Sequence, residues 1–216
     1  MHEKLEHLLE RAGQLISRIE SVLPQSLSAP DWSRAVAWRY RKRSSGHGVL
    51  EPVRHVATLS LDDLKEIDAQ KEKIERNTLQ FVQGKPANNV LLTGARGTGK
   101  SSLIKACLNA YAVRGLRLIE VDKADLTDLP DIVEIVAERP EKFIVFCDDL
   151  SFEDGEPGYK ALKSILDGSI AAATPNVLIY ATSNRRHLLP EYMKDNLSYS
   201  HTDDGEVHPG EVIEEK

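Results

Sequence analysis

The chain has 216 residues, 41% of them hydrophobic, with a formal net charge of -6 and two cysteines. That is enough apolar material for one sizeable core and a smaller N-terminal appendage. It excludes a disulfide scaffold, because Cys107 and Cys147 sit in apolar surroundings and read as small buried hydrophobes. With no apolar run long enough to span a bilayer and no signal core at Met1-His2-Glu3-Lys4, the expectation is a cytoplasmic protein that does not engage a membrane.

From Glu3 to Leu23, apolar residues from Leu5 to Ile19 recur at helical spacing and stop at Pro24, predicting an amphipathic helix. Asp31 to Pro52 then mixes Trp32, Trp38 and Tyr40 with Arg34, Arg39, Arg41, Lys42 and Arg43. Two readings follow: arginines and aromatics that touch nucleic acid, or, better supported, Trp32 and Trp38 that pack the N-terminal helix onto the core while the arginines are solvated. A second helix is predicted over Asp62 to Gln83, broken at Gly84-Lys85-Pro86. Strands follow at Val90 to Thr93, Leu116 to Val121, Phe143 to Cys147 and Val177 to Ala181. Between them run the helix after residue 101, a helix capped by Asp128 with Pro130 in its first turn, and one over Tyr159 to Leu166. This β-α-β-α-β-α-β order implies an α/β fold with a parallel sheet covered on both faces and ligands at the carboxyl ends of the strands. Asn196 to Lys216 is polar and acidic and reads as loop or disordered tail. The organisation is therefore residues 1–53 as a helical and basic/aromatic segment, 54–195 as the α/β core and 196–216 as a tail.

The sharpest signal is Gly94-Ala95-Arg96-Gly97-Thr98-Gly99-Lys100-Ser101, placed between an apolar strand and the helix that opens at Ser102. Glycines let the backbone wrap an anion with its N–H groups inward, and the helix N-terminus adds positive dipole. In such a loop Lys100 reaches the outer phosphates of a nucleoside triphosphate and the Ser101 hydroxyl sits on Mg²⁺. The apolar strand ending at Cys147 runs directly into Asp148-Asp149, which puts two carboxylates at the same sheet edge: Asp148 suited to Mg²⁺, Asp149 to polarising the attacking water. Glu153 is a reserve base. At the end of the last strand Asn184 is placed to bond the γ-phosphate or the lytic water, and Arg185 and Arg186 follow it.

Gly94 to Ser101, Val145 to Asp149 and Thr182 to Asn184 resemble the Walker A, Walker B and sensor-1 elements of AAA+ P-loop ATPases. The likeness extends over nearly the whole chain to a bacterial family of AAA+ ATPases of unknown function. The resemblance implies ATP and Mg²⁺ as cofactors, Lys100, Asp149 and Asn184 in catalytic roles, Ser101 and Asp148 at the metal, and Val56, Leu64 and Ile67 near the base. ATP is implied over GTP, since no guanine-reading Asn-Lys-x-Asp motif occurs. It also implies a homo-oligomer in the full-length protein, with an unidentified protein or nucleic-acid partner that is loaded or remodelled. Most AAA+ proteins carry Glu where Asp149 stands, and an arginine finger, a fifth strand beside the phosphate-loop strand and a C-terminal lid are not read after Asn184. The expectation is thus a fragment that binds ATP and hydrolyses it weakly. The competing readings are a nucleotide-gated, helicase-loader-like adaptor that binds nucleic acid, and a small-molecule kinase with a second acceptor site.

Overall fold

The computed structural model describes residues 6, 10–15, 27–43, 48–153, 155–166, 174–185, 188, 199–201 and 207–209. Of the predicted N-terminal helix, residues 6 and 10–15 are helical (α1) and the rest lies outside the described residues. There follow β1 (Ala37–Lys42), β2 (Gly48–Pro52), a 3-10 turn at Leu61–Asp63, α2 (Asp68–Val82), β3 (Val90–Thr93), α3 (Lys100–Tyr111) and β4 (Leu116–Glu120). After these come α4 (Leu129–Val136), β5 (Lys142–Cys147), α5 (Pro157–Leu166), β6 (Val177–Ser183), β7 (Tyr199–His201) and β8 (Val207–Pro209). All four predicted strands form and pair in parallel, in a six-stranded sheet of order β2-β1-β4-β5-β6-β3. β6 is inserted between β3 and β5, the strand that runs into Asp148 and Asp149.

Strand residues alternate between two cores, which is why β5 and β6 read as unbroken apolar runs. Phe143, Val145 and Cys147 face α4 and α5 with Leu129, Ile132, Val136 and Leu162. Ile144 and Phe146 face α2 and α3 with Ile74, Phe81, Leu103, Ile104 and Leu108. Cys107 and Cys147 are fully buried, and burial pushes both thiols up to about 12, so they act as packing groups.

Four departures from the sequence reading have local causes. Trp38 is completely buried and Trp32 nearly so, packed edge-on against each other at 4.6 Å, with Trp32 4.8 Å from Phe143. Within the 31–52 stretch β1 and β2 pair antiparallel and extend the sheet beyond β4, with β1 parallel to β4. Four cations of this stretch are ion-paired: Arg39 with Glu120 at 2.8 Å, Lys42 with Asp128 at 2.9 Å, and Arg41 and Arg43 with Glu51. Both tryptophans are core residues, while their packing against the N-terminal helix lies outside the described residues, and Arg39, Arg41 and Arg43 are ion-paired with side chains still exposed to solvent. Second, the helix predicted from Asp62 begins only at Asp68. Ser60 and Asp63 close a capping box on a single 3-10 turn, and Glu66 then takes a left-handed φ of 62° that stops it from continuing. Third, Asp128 stands at the N-cap of α4 without capping an N–H. Its carboxylate accepts from Tyr40 Oη at 2.8 Å and from Lys42, tying β1 to α4. Fourth, β7 and β8 pair as a short antiparallel ribbon inside the stretch read as loop.

Candidate functional site

The parallel register aligns the carboxyl ends of three strands. Thr93 stands opposite Ser183 and Cys147 opposite Ala181, so the loop after β3, the acid pair after β5 and the end of β6 meet at one edge. Between β3 and α3, Gly94, Gly97 and Gly99 take φ of 148°, 85° and 83°, values a side chain would strain. Gly99 hands the chain to α3, whose first turn holds no acidic residue and whose N-terminus has no side-chain cap. Its first N–H groups are therefore left for an anion. Gly94 N–H donates to Ser183 O at 3.2 Å, fastening the loop to β6.

The side chains converge on a cavity of about 310 Å³ lined by Arg96 to Ser102, Asp148, Asp149, Thr182 and Asn184. Lys100 Nζ donates to Gly94 O and Ala95 O, both at 2.7 Å, and to Asn184 Oδ1 at 3.1 Å. Ser101 Oγ donates to Asp148 Oδ1 at 2.6 Å, and Asn184 Nδ2 donates to Asp149 Oδ1. Asp149 holds a left-handed φ of 52°, which Asp tolerates better than most residues and which turns the chain out of the strand direction. Drawn from three separate segments, Lys100, Asn184 and Asp149 thus form one hydrogen-bonded group and Ser101 and Asp148 a second beside it. Thr98 Oγ1 closes the loop onto Ala95 O at 2.9 Å.

Leu64 and Ile67 reach the same place from the other side, their methyl groups 4.0 and 3.9 Å from where a Cβ on Gly99 would stand. Val56 is half-buried and packs on the same core as both. Glu153 is not among the cavity residues. Its carboxylate lies 3.3 Å from Arg185, and its N–H donates to Glu156 at 2.8 Å. Arg185 is occupied there, and Arg186 lies outside the described residues. Sequence reasoning missed Thr182, whose hydroxyl donates to Asp148 Oδ1 at 2.5 Å and accepts from the Asp149 N–H at 2.8 Å. The available signal was a hydroxyl at a buried strand position two residues before Asn184.

Among solved structures, the chain is similar to AMPPCP-bound DnaA from Aquifex aeolicus, at 18% identity and a TM-score of 0.43 over 60% of this chain and 43% of that one. A DNA replication initiation factor matches at 18% and 0.43 over 59% and 42%. PCH-2 from C. elegans matches at 20% and 0.44 over 62% and 42%. The chain spans less than half the length of each of these structures. No curated protein matches it. Residues 33–216 match the family described as "Protein of unknown function (DUF815)", and with that match covering most of its length the chain belongs to this family.

Proposed function

We propose that the chain is a nucleotide-binding AAA+ core that takes ATP with Mg²⁺ and hydrolyses it, coupled to loading or remodelling of a protein or nucleic-acid partner by a homo-oligomer. The observation that carries this reading is the hydrogen-bonded set that joins Lys100 to Asn184 and Asp149, and Ser101 to Asp148, across a glycine loop at a helix N-terminus. On binding, Lys100 exchanges its loop carbonyls for the outer phosphates, while loop N–H groups and the start of α3 hold the rest of the phosphate chain.

The donor set fits Mg²⁺: Ser101 Oγ and Asp148 Oδ1 are hard oxygens 2.6 Å apart beside the loop, and Mg²⁺ is usually held by one or two such groups plus substrate phosphates. When bound there, the ion neutralises charge that develops on the phosphates. Asp149 orients a water toward the γ-phosphorus and accepts its proton as the bond from that phosphorus to the β-phosphate oxygen breaks, leaving ADP and phosphate. Asn184, bonded to both Lys100 and Asp149, links the phosphate contact to the base. Leu64, Ile67 and Val56 flank the adenine of the nucleotide.

One observation favours a second reading, a nucleotide-gated adaptor with weak turnover. Asp149 is one methylene shorter than Glu, and its Oδ1 is already engaged by Asn184. Calorimetric titration with ATP, with and without Mg²⁺, paired with phosphate release in the absence of any acceptor, tests both. Mg²⁺-dependent binding with turnover supports the ATPase, and binding without turnover supports the adaptor. Phosphate transfer only to an added acceptor would support the kinase, and no binding refutes all three.

A further inference from the structure

The parallel pairing of β5 with β6 ends at Cys147 opposite Ala181, and immediately beyond it the acid pair must be held by something other than the sheet ladder. Asp149 takes a left-handed φ of 52°, and its N–H does not go to a strand carbonyl. That N–H donates to Thr182 Oγ1 at 2.8 Å, and the ladder resumes one residue later, where Leu150 N–H reaches Thr182 O at 2.7 Å. Ser183 Oγ donates to Leu150 O at 2.6 Å and closes the segment.

A hydroxyl has one proton and two lone pairs. An N–H can only donate, so the Thr182 oxygen must accept from Asp149, and its single proton is free to serve the other neighbour. That neighbour is Asp148 Oδ1, 2.5 Å away. Thr182 is 1% exposed, so water cannot take over either bond if the hydroxyl is removed. One side chain therefore fixes the carboxylate of the first acid and the backbone of the second. Ser101 donates to the same Oδ1, and Asp148 Oδ2 has no hydrogen-bond partner among the described residues.

We infer that Thr182 is a positioning residue that sets both members of the acid pair, orienting Asp148 toward the metal and holding the left-handed turn that presents Asp149. The inference rests on the Mg²⁺-nucleotide reading above. It requires that removing the hydroxyl degrade the Mg²⁺ step and spare the nucleotide contacts made by the loop.

The test is titration of Mg²⁺ into the protein with a fluorescent ATP analogue, for wild type, Thr182→Val, Thr182→Ser and Thr182→Cys. Losing a buried hydroxyl bond to a carboxylate raises the Mg²⁺ concentration for half-maximal binding in Thr182→Val by roughly tenfold. Metal-free affinity stays within about twofold, because Lys100 and the loop are unchanged. Thr182→Ser keeps the donor and returns to the wild-type value, while Thr182→Cys, a weaker donor, falls between. Should Thr182→Val not fold, the Ser and Cys variants still give the ordering. Amide exchange at Asp149 speeds up in Thr182→Val and is rescued in Thr182→Ser. Equal Mg²⁺ midpoints for Thr and Val, or a shift in Ser as large as in Val, overturns the inference while leaving the nucleotide reading intact. Wild type that binds the analogue without any Mg²⁺ dependence overturns both.

Discussion

Lys100→Ala separates phosphate recognition from folding. The ammonium has three protons, and all are used: two on the loop carbonyls of Gly94 and Ala95 at 2.7 Å and one on Asn184 at 3.1 Å. Those acceptors are exposed, so water replaces the lysine in the variant and stability changes by no more than about 0.5 kcal/mol. With ATP present the same group makes a charge-assisted bond to an outer phosphate, a contact worth about 1.5–3 kcal/mol, or roughly 10- to 150-fold in Kd. Calorimetry with ATP, ADP and AMP checks this. The loss is expected to be largest for ATP and smallest for AMP, with thermal melting close to wild type. A folded variant with unchanged ATP affinity refutes the assignment of this loop, and an equal loss for all three nucleotides refutes the claim that Lys100 reads the outer phosphates.

The two acids divide cleanly. Asp148→Asn weakens Mg²⁺-dependent binding, whereas Asp149→Asn retains it and loses turnover by about 100-fold or more; normal hydrolysis by Asp149→Asn, followed by phosphate release, points to another base. Asp125 is held above the usual carboxylate range, first by burial and then by the charges of Asp128 and Asp122. Its contribution to stability is present below the unfolded value and is lost as pH rises through the raised one. Asp125→Asn therefore stabilises the fold by a few tenths of a kcal/mol, up to about 1, at neutral pH, with the gain vanishing toward pH 3 in urea melts; an equal gain at both pH values refutes the cause. Trp38→Ala costs about 3–5 kcal/mol by opening a cavity under β1, and the melt of a variant within 1 kcal/mol of wild type, an order-of-magnitude threshold set by the same cavity series, contradicts the packing described.

The four parallel strands and the phosphate loop were legible because their constraints are strict. A strand buried on both faces has no polar position to spare, and Phe143 to Cys147 shows none. Left-handed turns at Gly97 and Gly99 leave few residues but glycine. The β1–β2 pair was less legible although its pattern is plain in retrospect. Trp38 and Tyr40 point into the core and Arg39 and Arg41 outward with period two, but a run of cations is also what a nucleic-acid surface shows, and the partners of these cations, Glu51, Glu120 and Asp128, lie 8 to 86 residues away. The helix start was misread for a related reason. A Ser60–Asp63 capping box looks the same before a long helix as before one 3-10 turn, and only the backbone at Glu66 distinguishes them. Thr182 escaped notice because its role depends on a register between strands that sequence spacing does not reveal.

The phosphate loop is anchored at both ends of a strand that has one sheet neighbour among the described residues. At the base of β3, Asn77 brackets the backbone of Asn88, donating to its carbonyl at 2.8 Å and accepting its N–H at 3.0 Å, and also donates to the buried Tyr180 hydroxyl at 3.0 Å. Thr78 joins the same hydroxyl at 2.9 Å, and Asn89 accepts the Ile179 N–H at 2.8 Å. These bonds run from α2 into β6 and hold Val90 opposite Tyr180. At the other end, the Gly94–Ser183 and Lys100–Asn184 bonds tie the loop to the same strand. An edge strand fixed in this way does not depend on pairing along its free side to keep register. The loop and β6 consequently move as one unit, while the acid pair reaches that unit through the Thr182 and Asn184 side chains and the Leu150–Thr182 and Ser183–Leu150 bonds. On the proposed reading, a nucleotide that drew Lys100 away from Asn184 would break only the loop's bond to Asn184 and would leave both side-chain links to the acids in place. Asn184, released by Lys100 and still on Asp149, would then be the group through which the acids respond to the phosphate, while Thr182 keeps them aligned.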